Sequence, residues 1–484
     1  MNLGNQAKGG HAGTDHTKIV ATIGPASEGR LGELIEAGMN VARLNFSHGS
    51  LDEHRERIQR IRAEAHARMA PVGILADLQG PKMRMGRVEG GKRHLEEGAE
   101  VSIRSGGGVS GPGEVFFDFG GYIDRVHPGH RVLLADGQVE LETLSVEGET
   151  IRAVVTRAGD IADRKGVHLP DSDIEYELPT EEDRRHIEFC NEMGIELLGL
   201  SFVGRADELH EIRSLAPNSL LVAKIERRLA IENLQEILEV ADGVMVARGD
   251  LGVELDLEQV PVQQKNMLHA ALRAGRFTIT ATEMLESMIE SSRPTRAEVA
   301  DVANAVLDGS DAIMLSAETA VGEYPVEAVA TMRSISRAVE ASSRYSEMPR
   351  TAWRASEPDA ANAVAMAAVR VADALDLSKI ICFTETGRTA RLLTRYRPQA
   401  EIVALSPKSV TVNQMTLLAG CRPILFRREP SLEDMLYMAS EMLVVRGLAD
   451  YGETVVFVAG VPPGVARSTN VMKLSKIGEE VRLH

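Results

Sequence analysis

Short apolar strand patterns alternate with helical ones along most of this chain, and consecutive strands end on chemically armed residues. The endings are Lys224-Ile225-Glu226, Ala247-Arg248-Gly249-Asp250, Thr280-Ala281-Thr282 and Leu315-Ser316-Ala317-Glu318. Strand patterns fall at 18–23, 39–46, 72–78, 195–202, 219–225, 243–248, 276–281 and 311–316, with helical patterns between them at 28–37, 50–67, 180–192, 260–274 and 295–307. Near-continuous apolar strands separated by helices call for a parallel sheet with covered faces. Eight such units predict a closed (β/α)8 barrel, whose chemistry gathers at the C-terminal ends of the strands. An open doubly wound sheet is the competing topology. Alternation along 219–225 sets Lys224 and Glu226 on one side, and Asp250 arrives from the next strand. Two carboxylates are hard ligands suited to Mg2+, which takes one or two of them and leaves the rest to water and substrate phosphate.

The regular alternation breaks after Met85. Residues 86–168 carry Gly-rich turns (Gly106-Gly107-Gly108, Gly111-Pro112-Gly113) and short alternating segments, the pattern of an all-β insertion. Without it, 18–85 and 169–340 total 240 residues, close to the roughly 250 of a typical barrel. A polar stretch around 342–358 suits a linker, and strands and helices alternate again from 360 to 460. The expected fold class is α/β: a (β/α)8 TIM barrel interrupted by a small all-β domain, followed by a C-terminal three-layer α/β domain. The expected bounds are a tail at 1–16, the barrel at 17–85 and 169–340, an inserted β-barrel lid at 86–168, a linker at 341–357 and the C-terminal domain at 358–484.

Composition narrows the function. The 71 acidic residues outnumber 54 Lys and Arg, and aromatic residues are 4%. That balance argues against a nucleic-acid surface and its base-stacking platforms. Cys190, Cys382 and Cys421 form no CxxC pair and no metal spacing, which points to a reducing compartment. Residues 1–18 hold no apolar secretory core, and no run approaches the ~18 apolar residues of a membrane span. A cytoplasmic protein is expected, with no membrane partner.

Further motifs close the other strands: Ala42-Arg43-Leu44-Asn45-Phe46-Ser47-His48-Gly49 after the second and Leu75-Ala76-Asp77-Leu78-Gln79-Gly80-Pro81-Lys82-Met83-Arg84 after the third. Met284-Leu285-Glu286-Ser287-Met288 and Arg293-Pro294-Thr295-Arg296-Ala297-Glu298 follow the seventh. In this order, together with Lys224–Glu226 and Arg248–Asp250, these resemble the pyruvate kinase family from about Thr17 to Lys473. The resemblance implies phosphoryl transfer from phosphoenolpyruvate to ADP, giving pyruvate and ATP, with Mg2+ required and Mn2+ as an alternative. It also implies a homotetramer and an allosteric phosphorylated effector.

Carried onto this chain, the resemblance has Arg43 hold the phosphoryl group and Lys224 neutralise it in flight. Glu226 and Asp250 would ligate Mg2+, while the Gly249 N–H and the Thr282 hydroxyl receive the substrate carboxylate. Thr282 and Ser316 are candidates for protonating the enolate. Arg84, Lys165, Asn45, Ser47 and His48 would line the nucleotide side. Many members hold K+ near Asn45, Ser47, Asp77 and the residue at Leu78. Here Leu78, Gln79 and Lys82 match the K+-independent members, so the Lys82 ammonium is expected to fill that pocket. In the C-terminal domain, Thr384, Thr386, Gly387, Arg388 and Thr389 occupy the effector loop. A loop of hydroxyls and N–H groups opening a helix is in any case an anion site.

Glu283, Ala317 and His168 stand where the family usually has Gln, Gly and Asn, which bears on rates without removing a proposed catalytic group. Two rival readings stay open at this point. A lyase on the same barrel would need no ADP, and a non-catalytic metabolite-binding paralogue would be free to lose Lys224, Glu226, Asp250 or Thr282.

Overall fold

Eight short strands close into a parallel barrel: β1 Lys18–Thr22, β2 Val41–Asn45, β3 Gly73–Leu78, β4 Leu197–Leu200, β5 Leu220–Ile225, β6 Gly243–Ala247, β7 Phe277–Ala281 and β8 Ala312–Leu315. Each pairs in parallel with its neighbour in sequence, and β8 returns to β1 through Lys18↔Ala312. The computed structural model describes residues 15–118, 121–172, 174–347, 359–462, 464 and 469–479.

Period-2 alternation sorts the strand residues. Val20, Val41, Leu75, Leu197, Val222, Met245, Ile279 and Met314 fill the barrel interior. Ile19, Leu44, Ile74, Ala76, Leu198, Ala223 and Ile313 face the surrounding helices. On the same side, two steps beyond Val20, Val41, Leu75, Val222 and Met314, lie Thr22, Arg43, Asp77, Lys224 and Ser316, and Ser201 lies four steps beyond Leu197. The barrel's register thus delivers the site.

The inserted segment forms an open six-stranded sheet and two two-stranded ribbons. The edge strands Val167–His168 and Glu114–Phe117 are too short to ladder together. The chain at 84–86 spans them instead, Met85 N–H donating to Lys165 O and Gly86 N–H to Phe116 O.

The C-terminal sheet runs Cys421–Leu425, Glu401–Ser406, Lys379–Phe383, Thr454–Gly460, Thr469–Lys476. Ile380, Cys382, Ile402 and Val456 pack with helices Ala360–Ala374 and Arg388–Arg395. Ile381, Val403 and Phe457 pack with helix Leu432–Val445. The antiparallel strand Thr469–Lys476 escaped the sequence reading because its apolar residues do not sort inward: Met472 and Leu474 are exposed while Thr469 and Ser475 are buried.

The tail expected at 1–16 lies outside the described residues as far as 14, as does the linker from 348 to 357. Asp15 and His16 are fastened rather than loose. Asp15 pairs with Arg333 and Arg337, and the Glu340 carboxylate accepts the His16 N–H.

Candidate active site

At the C-terminal mouth of the barrel, Lys224 Nζ lies 2.7 Å from Glu226 Oε1, 3.1 Å from Asp77 Oδ1 and 2.6 Å from Ser201 Oγ. Burial disfavours the ammonium, but Asp77, Glu226 and Asp250 outweigh it and hold Lys224 charged well beyond its ordinary range. Arg43 donates twice to Asp77 Oδ2, at 2.8 and 2.6 Å, and once to Thr22 Oγ1 at 2.9 Å. Burial works against ionisation of Asp77, yet Lys224 and Arg43 together keep its carboxyl below the usual carboxylate range.

Glu226 is 2% exposed, with Oε2 accepting the Phe202 N–H at 2.7 Å. Burial drives its carboxyl above the ordinary value, Lys224 opposes the shift, and Asp250 adds to it. Asp250 sits in the first turn of the short helix Arg248–Glu254. Burial works against its ionisation, and Lys82, Lys224 and His168 overcome this. Glu226 and Asp250 form a hard-oxygen donor pair suited to a small divalent cation. Among the described residues no three His, Cys, Asp or Glu gather as a metal cluster, and two carboxylates suffice for Mg2+. Three cations here (Arg43, Lys82, Lys224) face three carboxylates (Asp77, Glu226, Asp250), so a multiply charged anionic substrate calls for one cation more.

Thr282 lies at φ 67° and Glu283 at φ 53°, a left-handed turn just past β7, a conformation that recurs at functional sites because it needs outside support. The Gly249 N–H donates to Thr282 Oγ1 at 2.8 Å. A Cβ built on Gly249 would meet nothing closer than 3.6 Å, so the protein's own packing does not demand glycine there. Ser316 follows β8, and its N–H donates to Glu318 Oε2 at 2.6 Å.

The expected monovalent-cation pocket is rearranged. Lys82 Nζ stands 3.2 Å from Asp250 Oδ1 and 3.4 Å from Asp136 Oδ1, not at Asn45, Ser47 or Asp77. Asp77 is already neutralised by two cations, so the third goes to the unspent negative charge on Asp250. Leu78 packs into the helix-facing core, leaving its carbonyl, which accepts from Ser201 Oγ, as its polar contribution. The Asn45 side chain accepts the Ser47 N–H, and the His48 carbonyl accepts from His54 Nε2 at 3.0 Å.

On the lid side, Arg84 donates to Arg164 O at 3.3 Å, and Lys165 is exposed. His168 is 4% exposed and pushed below its ordinary value by burial. Glu283 is exposed, and Ala317 opens the short helix Ala317–Ala320. In the C-terminal domain Thr384 Oγ1 is buried with no hydrogen-bond partner. Gly387, at φ 74°, caps helix Arg388–Arg395 without a side-chain bond. Thr386 is exposed, Arg388 pairs with Asp359 at 2.7 Å, and Thr389 turns to Thr469 Oγ1 at 2.8 Å.

Sequence reasoning assigned no role to Arg248 or Ser201. Arg248 donates to the carbonyls of Ala281 and Thr282 and pairs with Asp301, so it braces the left-handed turn. Its place at the end of β6, beside Gly249, was the available signal. Ser201 was findable by the same alternation that gave Lys224, two steps past Gly199 in β4.

Comparison with known proteins agrees with this architecture. The family model for the pyruvate kinase barrel domain matches residues 14–329, and that for the pyruvate kinase alpha/beta domain matches 362–475. A pyruvate kinase from Sporosarcina psychrophila is 41% identical over 473 residues, covering 96% of this chain and 80% of that protein. One from Methylorubrum extorquens is 40% identical over 468 residues, covering 96% and 98%. A Staphylococcus aureus pyruvate kinase is 39% identical over 473 residues, covering 96% and 81%.

Proposed function

The chain belongs to the pyruvate kinase family, and on that premise we propose how its barrel mouth moves a phosphoryl group from phosphoenolpyruvate to ADP. The observation that carries the reading is the Lys224 ammonium held among Asp77, Glu226 and Ser201 beside the Asp250 carboxylate. Arg43 offers a planar fork to phosphoryl oxygens. Lys224 supplies positive charge where charge accumulates as the phosphoryl leaves the enolate. The Gly249 N–H and Thr282 hydroxyl receive the substrate carboxylate, oriented by the brace from Arg248. Glu226 and Asp250 would hold Mg2+, which would supply charge neutralisation for the phosphoryl group. Ser316 and Thr282 stand where a proton reaches the enolate. Arg84, Lys165, Asn45, Ser47 and His48 line the nucleotide side. Little covalent work falls to the protein, so fixed charge and positioning carry the catalysis.

Lys82 provides a tethered cation in the mouth, so K+ is not required. The loop 384–389 binds the phosphate of an effector, supported by the partnerless Thr384 hydroxyl and the uncapped helix start. Four copies assemble, supported by exposed Tyr437, Met438 and Val445 on helix Leu432–Val445 and by Met472 and Leu474 on the edge strand. The test of the reaction is pyruvate formation dependent on both ADP and Mg2+; pyruvate released at equal rate without ADP would mean a lyase instead.

A further inference from the structure

The far end of the barrel, where β7 and β8 begin, meets the C-terminal domain across a small, partly open cleft. Arg276, Arg391, Arg395 and Arg397 converge on it, with Phe277 and Asp311 from the barrel. Two of the arginines are satisfied. Arg397 donates to Asp311 Oδ1 at 2.7 Å and to Gly309 O at 2.6 Å. Arg276 donates to Leu238 O at 2.6 Å and Glu239 O at 2.8 Å. Asp311 is likewise saturated, by Arg397 and by the N–H groups of Thr278 and Ala419.

The other two are not. Arg395 reaches the Arg273 carbonyl with Nη2, but its Nε is buried without a partner. Arg391 makes no side-chain hydrogen bond among the described residues. Its nearest carboxylate oxygen, Asp242 Oδ1, stands 3.9 Å away, and Asp242 Oδ2 is already taken by Arg213 at 2.6 Å. Arg391 and Arg395 are four apart on one helix, so two like charges lie side by side, an arrangement that destabilises a helix unless a counter-ion joins it. Burial also holds both guanidinia below their ordinary values. Desolvated cations persist when something pairs them.

We propose that this cleft is a phosphate-binding site, separate from the barrel mouth and from the 384–389 loop. It takes inorganic phosphate or the phosphate group of a small phosphomonoester. A dianion adds the counter-charge that the long Asp242 contact and the Arg273 carbonyl supply only in part, and guanidinium forks match phosphate oxygens. The occupant bridges helix Arg388–Arg395 of the C-terminal domain to the end of helix Val260–Ala274 of the barrel, where Gly275 leaves room beside the Arg395 side chain.

The test uses the full-length wild-type protein. Phenylglyoxal modification of Arg391 and Arg395 is followed by peptide mass spectrometry, with exposed Arg60 as internal reference. Inorganic phosphate and glycerol 3-phosphate are compared with chloride at equal ionic strength. Saturating ligand should slow both modifications about fivefold or more, as mass action requires of an occupied site, and leave Arg60 unchanged. Protection by phosphate alone assigns the free ion, and stronger protection by the ester assigns a phosphomonoester. Absence of protection by either overturns the proposal. Repeating the measurement in Thr384→Val excludes relay from the effector loop: protection that persists supports a separate site, and protection that vanishes overturns it.

Discussion

Lys224 enters the barrel mouth from inside the wall, two residues past Val222, and its charge is fixed by three oxygen partners. Such a group acts through position, so Lys224→Met should lower kcat by at least ~10²–10³ while leaving substrate binding largely intact. A folded variant that kept more than a tenth of wild-type turnover would remove Lys224 from the mechanism. Lys82 acts from the other side of Asp250. Near-full activity is expected with Mg2+ in buffer free of Na+ and K+. Lys82→Glu should lower activity and create a K+ requirement, since it puts a fourth carboxylate where a cation stood. Strong K+ activation of the unaltered enzyme would reject this role for Lys82.

At the scale of elements, strand ends were legible and the turns beyond them were not. Period-2 alternation announces Lys224, Glu226 and Arg43 because their side is set by the interior residues two steps earlier. The short helix Arg248–Glu254 and the left-handed turn at Thr282 carry no such period. Contacts distant in sequence fix them, such as Arg248 to the Thr282 carbonyl. The carboxylate partner of Lys82 was not legible for a related reason: charge already spent on Asp77 is invisible in one dimension. The segment Asn45–His48 is steadied by His54, whose ring stacks on Phe46 at 4.2 Å and donates to His48 O. Burial pushes His54 from 6.5 down to about 4. Between those values the unfolded chain binds a proton that the native state refuses, so stability falls as pH drops through that window. The slope of Tm against pH from 6.5 to 4.5 should therefore be shallower in His54→Gln, with His16, also near 4, contributing equally to both proteins. In the C-terminal domain, the loop before helix Arg388–Arg395 should carry the effector response. Thr384→Ala should flatten the shift that a sugar phosphate or AMP causes in phosphoenolpyruvate saturation, a few kcal/mol of coupling at most, and leave maximal rate unchanged. If a panel of such metabolites leaves the wild-type curve unmoved, the loop is a helix start and nothing more.

Across the whole molecule, the barrel interior and one face of the C-terminal sheet share a single apolar cluster. Barrel and C-terminal domain should therefore unfold together. The polar fastening at that junction is Arg397 on Asp311, the latter 2% exposed and also bonded by Thr278 and Ala419. Burial disfavours the Arg397 cation, but Asp311 more than compensates and raises its value. Arg397→Met leaves the Asp311 charge buried against apolar neighbours, which should cost about 3–5 kcal/mol. Asp311→Asn alone should cost less, because Arg397 keeps its bond to the Gly309 carbonyl and the single amide oxygen still accepts one of the two N–H groups. The double variant should recover part of the Arg397→Met loss, as coupled partners do. Calorimetry decides the matter. The wild type should melt in one transition, and Arg397→Met should melt earlier, with the C-terminal domain separating as a first step. Equal losses for both single variants, with no recovery in the double, would show that the junction is held by its apolar contacts and that this ion pair adds nothing to them.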